Sequence, residues 1–393
     1  MLWALLSALA IAVPAASARA QTCAYVANEG DDTISVIDVA SGSATVTVPV
    51  GDAPHGVASG SFGGSNAIYV ANSGDGTVSR IDPDMLTSRT VNVGTGPEAI
   101  AVLPNGLRAY VSHPANGTVS VLDTTALEVT GTITTGGAPT GMEASADGAT
   151  LYVADGANDK VIVIDTDTNA VVTRFDSGAD PVDVAVGAGS LFVSGMPIAV
   201  LDTDSGEATG ILTAGSALGG AAAITDGRFA LVCTSGSGGG ALLFVGIDPS
   251  PTLPSIALGA GVMPIDVAPL PDGRHAYVTD RDGDRVLAVD LVELDVDGPI
   301  PTGDAPHGIA IASGPTGCRP AAPATPTVPP SGCAGDCSGD GEVTINEIIL
   351  GVNIALGAAA VDECPAFDGN GDGDVAINEL IAAVNAALTG CPS

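Results

Sequence analysis

An all-β fold of seven repeated four-stranded units, closed into a ring, is what this sequence predicts, and three observations predict it. First, the phrase Tyr25-Val26-Ala27-Asn28, an Asp-rich turn and Thr33-Ile34-Ser35-Val36-Ile37-Asp38 recurs from Tyr69 to Asp82, Tyr110 to Asp123, Tyr152 to Asp165 and Tyr277 to Asp290. Weaker copies, Phe192 to Asp202 and Leu231 to Asp248, fill the gap, giving a spacing of about 40–45 residues. Second, Gly51-Asp52-Ala53-Pro54-His55-Gly56-Val57-Ala58 recurs in step, nearly letter for letter from Gly303 and more loosely from Gly94, Gly136, Gly178, Gly215 and Gly259. Third, the first unit lacks this second phrase before it, and the last copy, at Gly303, has no Tyr-Val phrase after it.

Each element follows. The Gly/Pro phrase is a tight turn feeding a strand of small apolar residues, suited to the innermost position where units crowd an axis. The Tyr-Val and Thr-Val-x-Val-Ile-Asp runs alternate as strands two and three, and a Thr/Val-rich run such as Ala44 to Val50 supplies strand four. The repeated Asp at the end of strand three (Asp38, Asp82, Asp123, Asp165, Asp202, Asp290) is turn chemistry. The orphan strand after Gly303 completes the first unit, so residues 21–313 form a seven-bladed β-propeller with one-plus-three closure. Cys23 and Cys318 stand where an ordinary blade has a hairpin, which predicts a disulfide between them.

Apolar residues make up 46% of the chain but aromatics only 3%, so Val, Ala, Ile and Leu must build the core. The formal charge is −34. A nucleic-acid backbone or anionic membrane surface would be repelled, and cations are the natural counter-partners. Residues 1–20 have the pattern of a secretory signal, with an apolar run from Leu2 to Val13 and Ala18-Arg19-Ala20 as the cleavage site. The expected location is secreted, extracellular or at the cell surface, with no transmembrane segment in the mature chain, and disulfides are reasonable there. The odd cysteine, Cys233, lies in an apolar strand and is expected to be a buried, inert thiol.

A Pro/Ala/Thr-rich spacer, 314–332, leads to a tail, 333–393. Two twelve-residue stretches there, Asp336 to Glu347 and Asp368 to Glu379, fit calcium loops in register thirty-two residues apart. The expected ligands are Asp336, Ser338, Asp340, Glu342 through its carbonyl, Thr344 and Glu347 in the first loop. In the second they are Asp368, Asn370, Asp372, Asp374 through its carbonyl, and Glu379, with water filling the place of Ala376. Gly341 and Gly373 permit the sharp turn, and two Ca²⁺ ions are the expected cofactors. After each loop an apolar stripe repeats, with Ile348, Ile349, Val352 and Leu356 matching Leu380, Ile381, Val384 and Leu388. Cys333, Cys337, Cys364 and Cys391 allow three pairings, of which Cys333–Cys391 is favoured as a clasp.

The Tyr-Val-Ala-Asn phrases resemble the YVTN-type propellers of surface-layer and secreted proteins. The duplicated loop-plus-helix tail, preceded by Pro-rich segments that forbid an entry helix, resembles a type I dockerin, an EF-hand-like module. The second resemblance implies attachment to a cell-envelope or cohesin-like protein. The dockerin pattern has Ser or Thr at loop position 10 and Asp at position 12; here Ile345 and Ile377, and Glu347 and Glu379, stand there. The function implied is a secreted or cell-surface binding or structural propeller carrying a calcium-dependent attachment module.

No haem-attachment Cys-x-x-Cys-His, nucleophile elbow or phosphate loop occurs. One constellation has chemistry to offer. The residues that follow each inner-strand Pro are expected around one channel mouth: His307, His55, Glu98, Thr140, Asp183, a gap at Gly219-Gly220, and Asp266. Ring closure puts His307 and His55 on adjacent blades. Imidazoles and carboxylates around one opening suit a metal or acid–base work. The alternative function is therefore a hydrolase or lyase of the lactonase kind, which related propellers include.

Overall fold

The computed structural model describes residues 21–62, 65–212, 217–224, 227–236, 239–247, 255–314 and 318, then 334–337, 343–355, 364–367, 375 and 377–389. Two compact units divide the chain, Met1–Pro320 and Ala321–Ser393. The expected signal (1–20) and most of the spacer lie outside the described residues.

The first unit is a seven-bladed propeller of four-stranded antiparallel sheets. Blade 1 runs Pro306–Gly314, Gln21–Asn28, Thr33–Asp38, Ser43–Pro49 from the innermost strand outward. The C-terminal strand pairs antiparallel with the N-terminal one, Tyr25 opposite Ala310 and Cys23 opposite Ala312, so the one-plus-three closure is observed. The inner strands of blades 2 to 7 are Pro54–Phe62, Ile100–Val102, Pro139–Ala144, Ala179–Val186, Ala217–Ala223 and Pro264–Pro269. Cys23 and Cys318 form the predicted disulfide, their Cα atoms 5.5 Å apart. Cys233 is free and buried.

The core lies between blades, which explains the continuous apolar runs. Strand two is covered on both faces, so the period-two alternation chooses a neighbour rather than inside against outside. In blade 1, Tyr25 and Ala27 pack with Ile68, Val70 and Ile81 of blade 2. Ala24 and Val26 pack the other way, with Tyr277 and Val286 of blade 7. The disulfide belongs to the first of these seams.

The fourth residue of the Tyr-Val phrase is a polar stitch. The buried Asn28 amide donates to Thr33 Oγ1 (2.9 Å) and Ser35 Oγ (3.0 Å), and its oxygen accepts Gly303 N–H (3.2 Å). Asp155 and Asp280 likewise accept the N–H groups of Ala138 and Met263, which lead into the inner strands of their blades. His113 holds the equivalent place, with Nε2 2.9 Å from Ser120 Oγ and Nδ1 3.0 Å from the Thr95 carbonyl. Burial lowers its pKa, partly opposed by that carbonyl.

The strand-three aspartates close the next hairpin, as expected. Asp82 accepts the N–H groups of Asp84 and Met85, and Asp290 those of Val292 and Glu293. Four residues after each such Asp the backbone turns left-handed. Gly42 (φ 60°) and Gly206 (φ 72°) do so freely, whereas Leu86 (φ 52°), Leu127 (φ 54°) and Leu294 (φ 58°) do so under strain.

In the second unit, helices α1 (Ile345–Ala355) and α2 (Ile377–Thr389) follow the two loops. Ile354, Cys364, Phe367, Val375 and Ala383 form a small core, and Gly351 is small because a Cβ there would overlap the Phe367 ring. A disulfide joins Cys337 to Cys364. The favoured Cys333–Cys391 clasp lies outside the described residues, as do Ser338, Asp340, Glu342, Asp368, Asn370, Asp372 and Asp374. Of the expected stripe, Leu380 packs on this core, whereas Ile349, Val352, Ile381 and Val384 are exposed; Leu350, Ile354 and Ala383, outside the stripe, serve the core instead. Among the described residues, no helix is long and apolar enough to cross a membrane.

Candidate functional site

His55 and His307 meet as the closure argument requires. They open the inner strands of blades 2 and 1, and their rings stack with centroids 4.2 Å apart and planes 6° from parallel. Close approach of the two strands needs glycine at 308, where a Cβ would run into the His55 carbonyl oxygen. Thr279 Oγ1 donates to the His307 carbonyl at 2.8 Å and fixes it from blade 7.

The third member is Glu29, which the sequence argument missed. It follows strand two of blade 1, with Oε1 3.5 Å from His55 Nε2 and Oε2 3.1 Å from Arg281 Nη2 of blade 7. One donor atom each from Glu29, His55 and His307 lies within 4.8 Å of the others. His55 Nδ1 is buried without a hydrogen-bond partner. Burial, with help from His55 and Arg281, drives the His307 pKa down to about 3, so this imidazole is neutral across the physiological range.

Glu98, Asp183 and Asp266 do not join this group. For the aspartates the reason is strand alternation. His55 and His307 come one residue after their prolines, whereas Asp183 and Asp266 come two after, at the positions held by Gly56 and Gly308. Adjacent positions on a strand point to opposite sides.

These aspartates bind instead to the inner strands of following blades. Asp183 Oδ2 accepts Ala221 N–H at 2.9 Å, and Asp266 Oδ2 accepts Ile309 N–H at 3.0 Å. Glu143 does the same one strand pair earlier, accepting Val186 N–H at 2.7 Å. Glycines make room: a Cβ at Gly141 would overlap Asp183, and one at Gly220 would overlap Asp266. Densely walled by protein yet half-buried, all three are pushed toward the neutral acid. Burial raises Glu143 to about 7 and Asp266 to about 6; burial and then Asp266 repulsion raise Asp183 to about 8. Glu143 also lines a cleft of about 670 Å³ near the far ends of the inner strands of blades 4 to 6.

In the tail, Asp336, Thr344, Glu347 and Glu379 are the expected ligands that fall among the described side chains. Glu347 is buried and folds back over its loop, accepting Cys337 N–H (2.9 Å) through Oε1 and Thr344 N–H (2.8 Å) through Oε2. Thr344 Oγ1 in turn accepts Glu347 N–H at 3.4 Å, a capping box at the start of α1. Glu379 is buried at the matching place on α2.

No family model and no curated protein matches the chain. Solved structures share its fold. A hydrazine synthase chain from Kuenenia stuttgartiensis superposes with a TM-score of 0.60 at 20% identity, covering 66% of this chain and 95% of that one. A functionally unknown protein from Desulfotomaculum acetoxidans gives 0.64 at 14%, covering 74% and 98%. NirN, a dihydro-heme d1 dehydrogenase solved in complex with DHE, gives 0.57 at 17%, covering 73% and 74%. At these identities the likeness is one of fold, a β-propeller, and propellers host many unrelated activities.

Proposed function

We propose that this is an exported binding propeller of the YVTN type that is held at the cell surface, or to a partner protein, by a dockerin-like tail ordered by two Ca²⁺ ions. The observation that carries the reading is the outward apolar face of the tail. Ile349 and Ile381, and Val352 and Val384, occupy equivalent places thirty-two residues apart on the two helices, and all four are exposed. A module with so small a core would bury these residues if stability were their use; displayed twice, they suit a partner surface. The buried Glu347 and Glu379 support calcium, because each stands at the last position of a loop whose other expected donors are hard oxygens. Apolar side chains at loop position 10, Ile345 and Ile377, favour an apolar partner patch over the hydroxyl-reading surface of a cohesin.

The test is capture of envelope proteins on the immobilised mature chain, in calcium and in chelator. The expected result is a partner retained only in calcium, lost with Asp336→Ala plus Asp368→Ala and lost with Ile349→Asp plus Ile381→Asp. Equal capture by both double variants and the parent would overturn the reading.

A further inference from the structure

We propose that Glu29, His55 and His307 form a binding site for one divalent first-row transition metal, of the zinc class, at the seam where the ring closes. This goes beyond the tail-mediated attachment proposed above and depends on none of its residues.

The donor set is the first argument. Two imidazoles and one carboxylate are borderline nitrogen and oxygen ligands, the set that suits Zn²⁺ and its neighbours and leaves a position open to water or a further ligand. The second is spacing. The 3.5 Å between His55 Nε2 and Glu29 Oε1 is long for a charge-assisted hydrogen bond. It matches the roughly 3.4 Å edge of a tetrahedron with metal–ligand bonds of about 2.1 Å. The His307 donor lies within the same 4.8 Å group.

The third argument is the state of the histidines. Four occur in the chain. His113 has both ring nitrogens hydrogen-bonded, and His275 pairs with Asp272. At the mouth, His55 Nδ1 is buried with no hydrogen-bond partner, while Nε2 faces Glu29 Oε1 at 3.5 Å. Buried imidazole nitrogens are normally satisfied, so the partnerless His55 ring nitrogen marks this imidazole as short of a partner, which a bound ligand at the mouth would change. The fourth argument is support. Arg281 Nη2 holds Glu29 Oε2 at 3.1 Å, which leaves Oε1 turned to His55. This is the outer-shell hydrogen bond that ligating carboxylates characteristically have. A chain of net charge −34 draws cations to any such site.

The site also has an unusual dependence on topology. Glu29 directly follows Gln21–Asn28, and His307 lies in Pro306–Gly314, the strand that closes onto it, so the site exists only while blade 1 is closed.

The test uses the full mature chain, stripped with chelator and returned to saturating Ca²⁺ so that the tail is occupied. Co²⁺ is titrated in and read by its visible d–d absorption, then displaced with Zn²⁺. The proposal expects a band that saturates at one equivalent and is abolished by one equivalent of Zn²⁺. His307→Gln and Glu29→Gln should each weaken Co²⁺ binding by about 100-fold or more. His275→Gln should leave it unchanged. Far-UV circular dichroism confirms folding, and Glu29→Gln serves alone if His307→Gln does not fold. Absence of a saturable band, binding by Glu29→Gln as tight as the parent, or loss in His275→Gln would each overturn the proposal.

Discussion

Replacing both Cys23 and Cys318 by alanine tests the closure of the ring directly. The bridge spans 295 residues. In the chain-entropy model, 1.5R ln n for such a loop is about 17 cal/mol/K, and the constant adds about 2, giving about 6 kcal/mol at 25 °C. Long loops often return less than this, and the two lost sulfurs, buried at 0% and 1% exposure, add about 1 kcal/mol of packing loss each. The expected net loss is about 3–6 kcal/mol. For a ring of this size the unfolding entropy is about 0.6 kcal/mol/K, so the midpoint should fall by about 5–10 °C. The assay is urea unfolding and calorimetry of the double variant against the parent, without reductant, because reductant would also open Cys337–Cys364. Hydrogen exchange should rise across Pro306–Gly314, the strand released from Gln21–Asn28. A loss under about 1 kcal/mol with unchanged exchange there would refute the reasoning. It would mean that strand pairing alone holds the seam.

Three further outcomes are expected. Asp183→Asn should flatten the fall in stability between about pH 4 and 8. A carboxyl whose folded pKa is raised to about 8 keeps its proton in the native state, so stability declines as pH climbs through that window; urea midpoints across pH check it. Gly141→Ala should destabilise by about 1–3 kcal/mol or more because its Cβ overlaps the side chain and the Cα of Asp183, and Asp183→Gly should recover only the side-chain part of that in a double-mutant cycle read by urea unfolding. Leu294→Asn should stabilise by about 0.5–1 kcal/mol, since Leu294 is left-handed at φ 58° and 40% exposed, with little packing to lose; thermal melts check it.

The fold was legible because repetition multiplies weak signals. No single Tyr-Val run distinguishes a strand buried on both faces from any other apolar stretch, but seven in step with a Gly/Pro turn leave one architecture. Even the degenerate blades 5 and 6 kept their four strands, since their neighbours supply the seams on both sides. The tail was legible in its motifs but not in its faces. An apolar residue on a short helix is drawn to whichever side has a core, and the repeated stripe does not say which side that is: Ile349 and Val352 are exposed, while the core lies under Leu350 and Ile354.

The mouth was half legible, and what was missing lay in the repeat itself. Taking all residues after the inner-strand prolines as one set merged two strand positions that face apart, and so mixed Asp183 and Asp266 with the histidines. Glu29 was missed because Glu29-Gly30-Asp31-Asp32 looks like turn chemistry. Aligning the blades column by column separates it. The residue after the polar stitch is Glu29 in blade 1, Ser73 in blade 2, Pro114 in blade 3, Gly156 in blade 4 and Arg281 in blade 7. Only blades 1 and 7 in that series carry charge, of opposite sign, and they are neighbours once the ring closes. The two histidines occupy another column, in blades 1 and 2. Departures from the repeat thus gather at consecutive blades around the closure. The complementary charges at Glu29 and Arg281 are accounted for by their own ion pair across the seam, 3.1 Å long, whereas the two stacked histidines beside it gain nothing from that pair; a shared ligand held by Glu29, His55 and His307 would tie both departures to one cause.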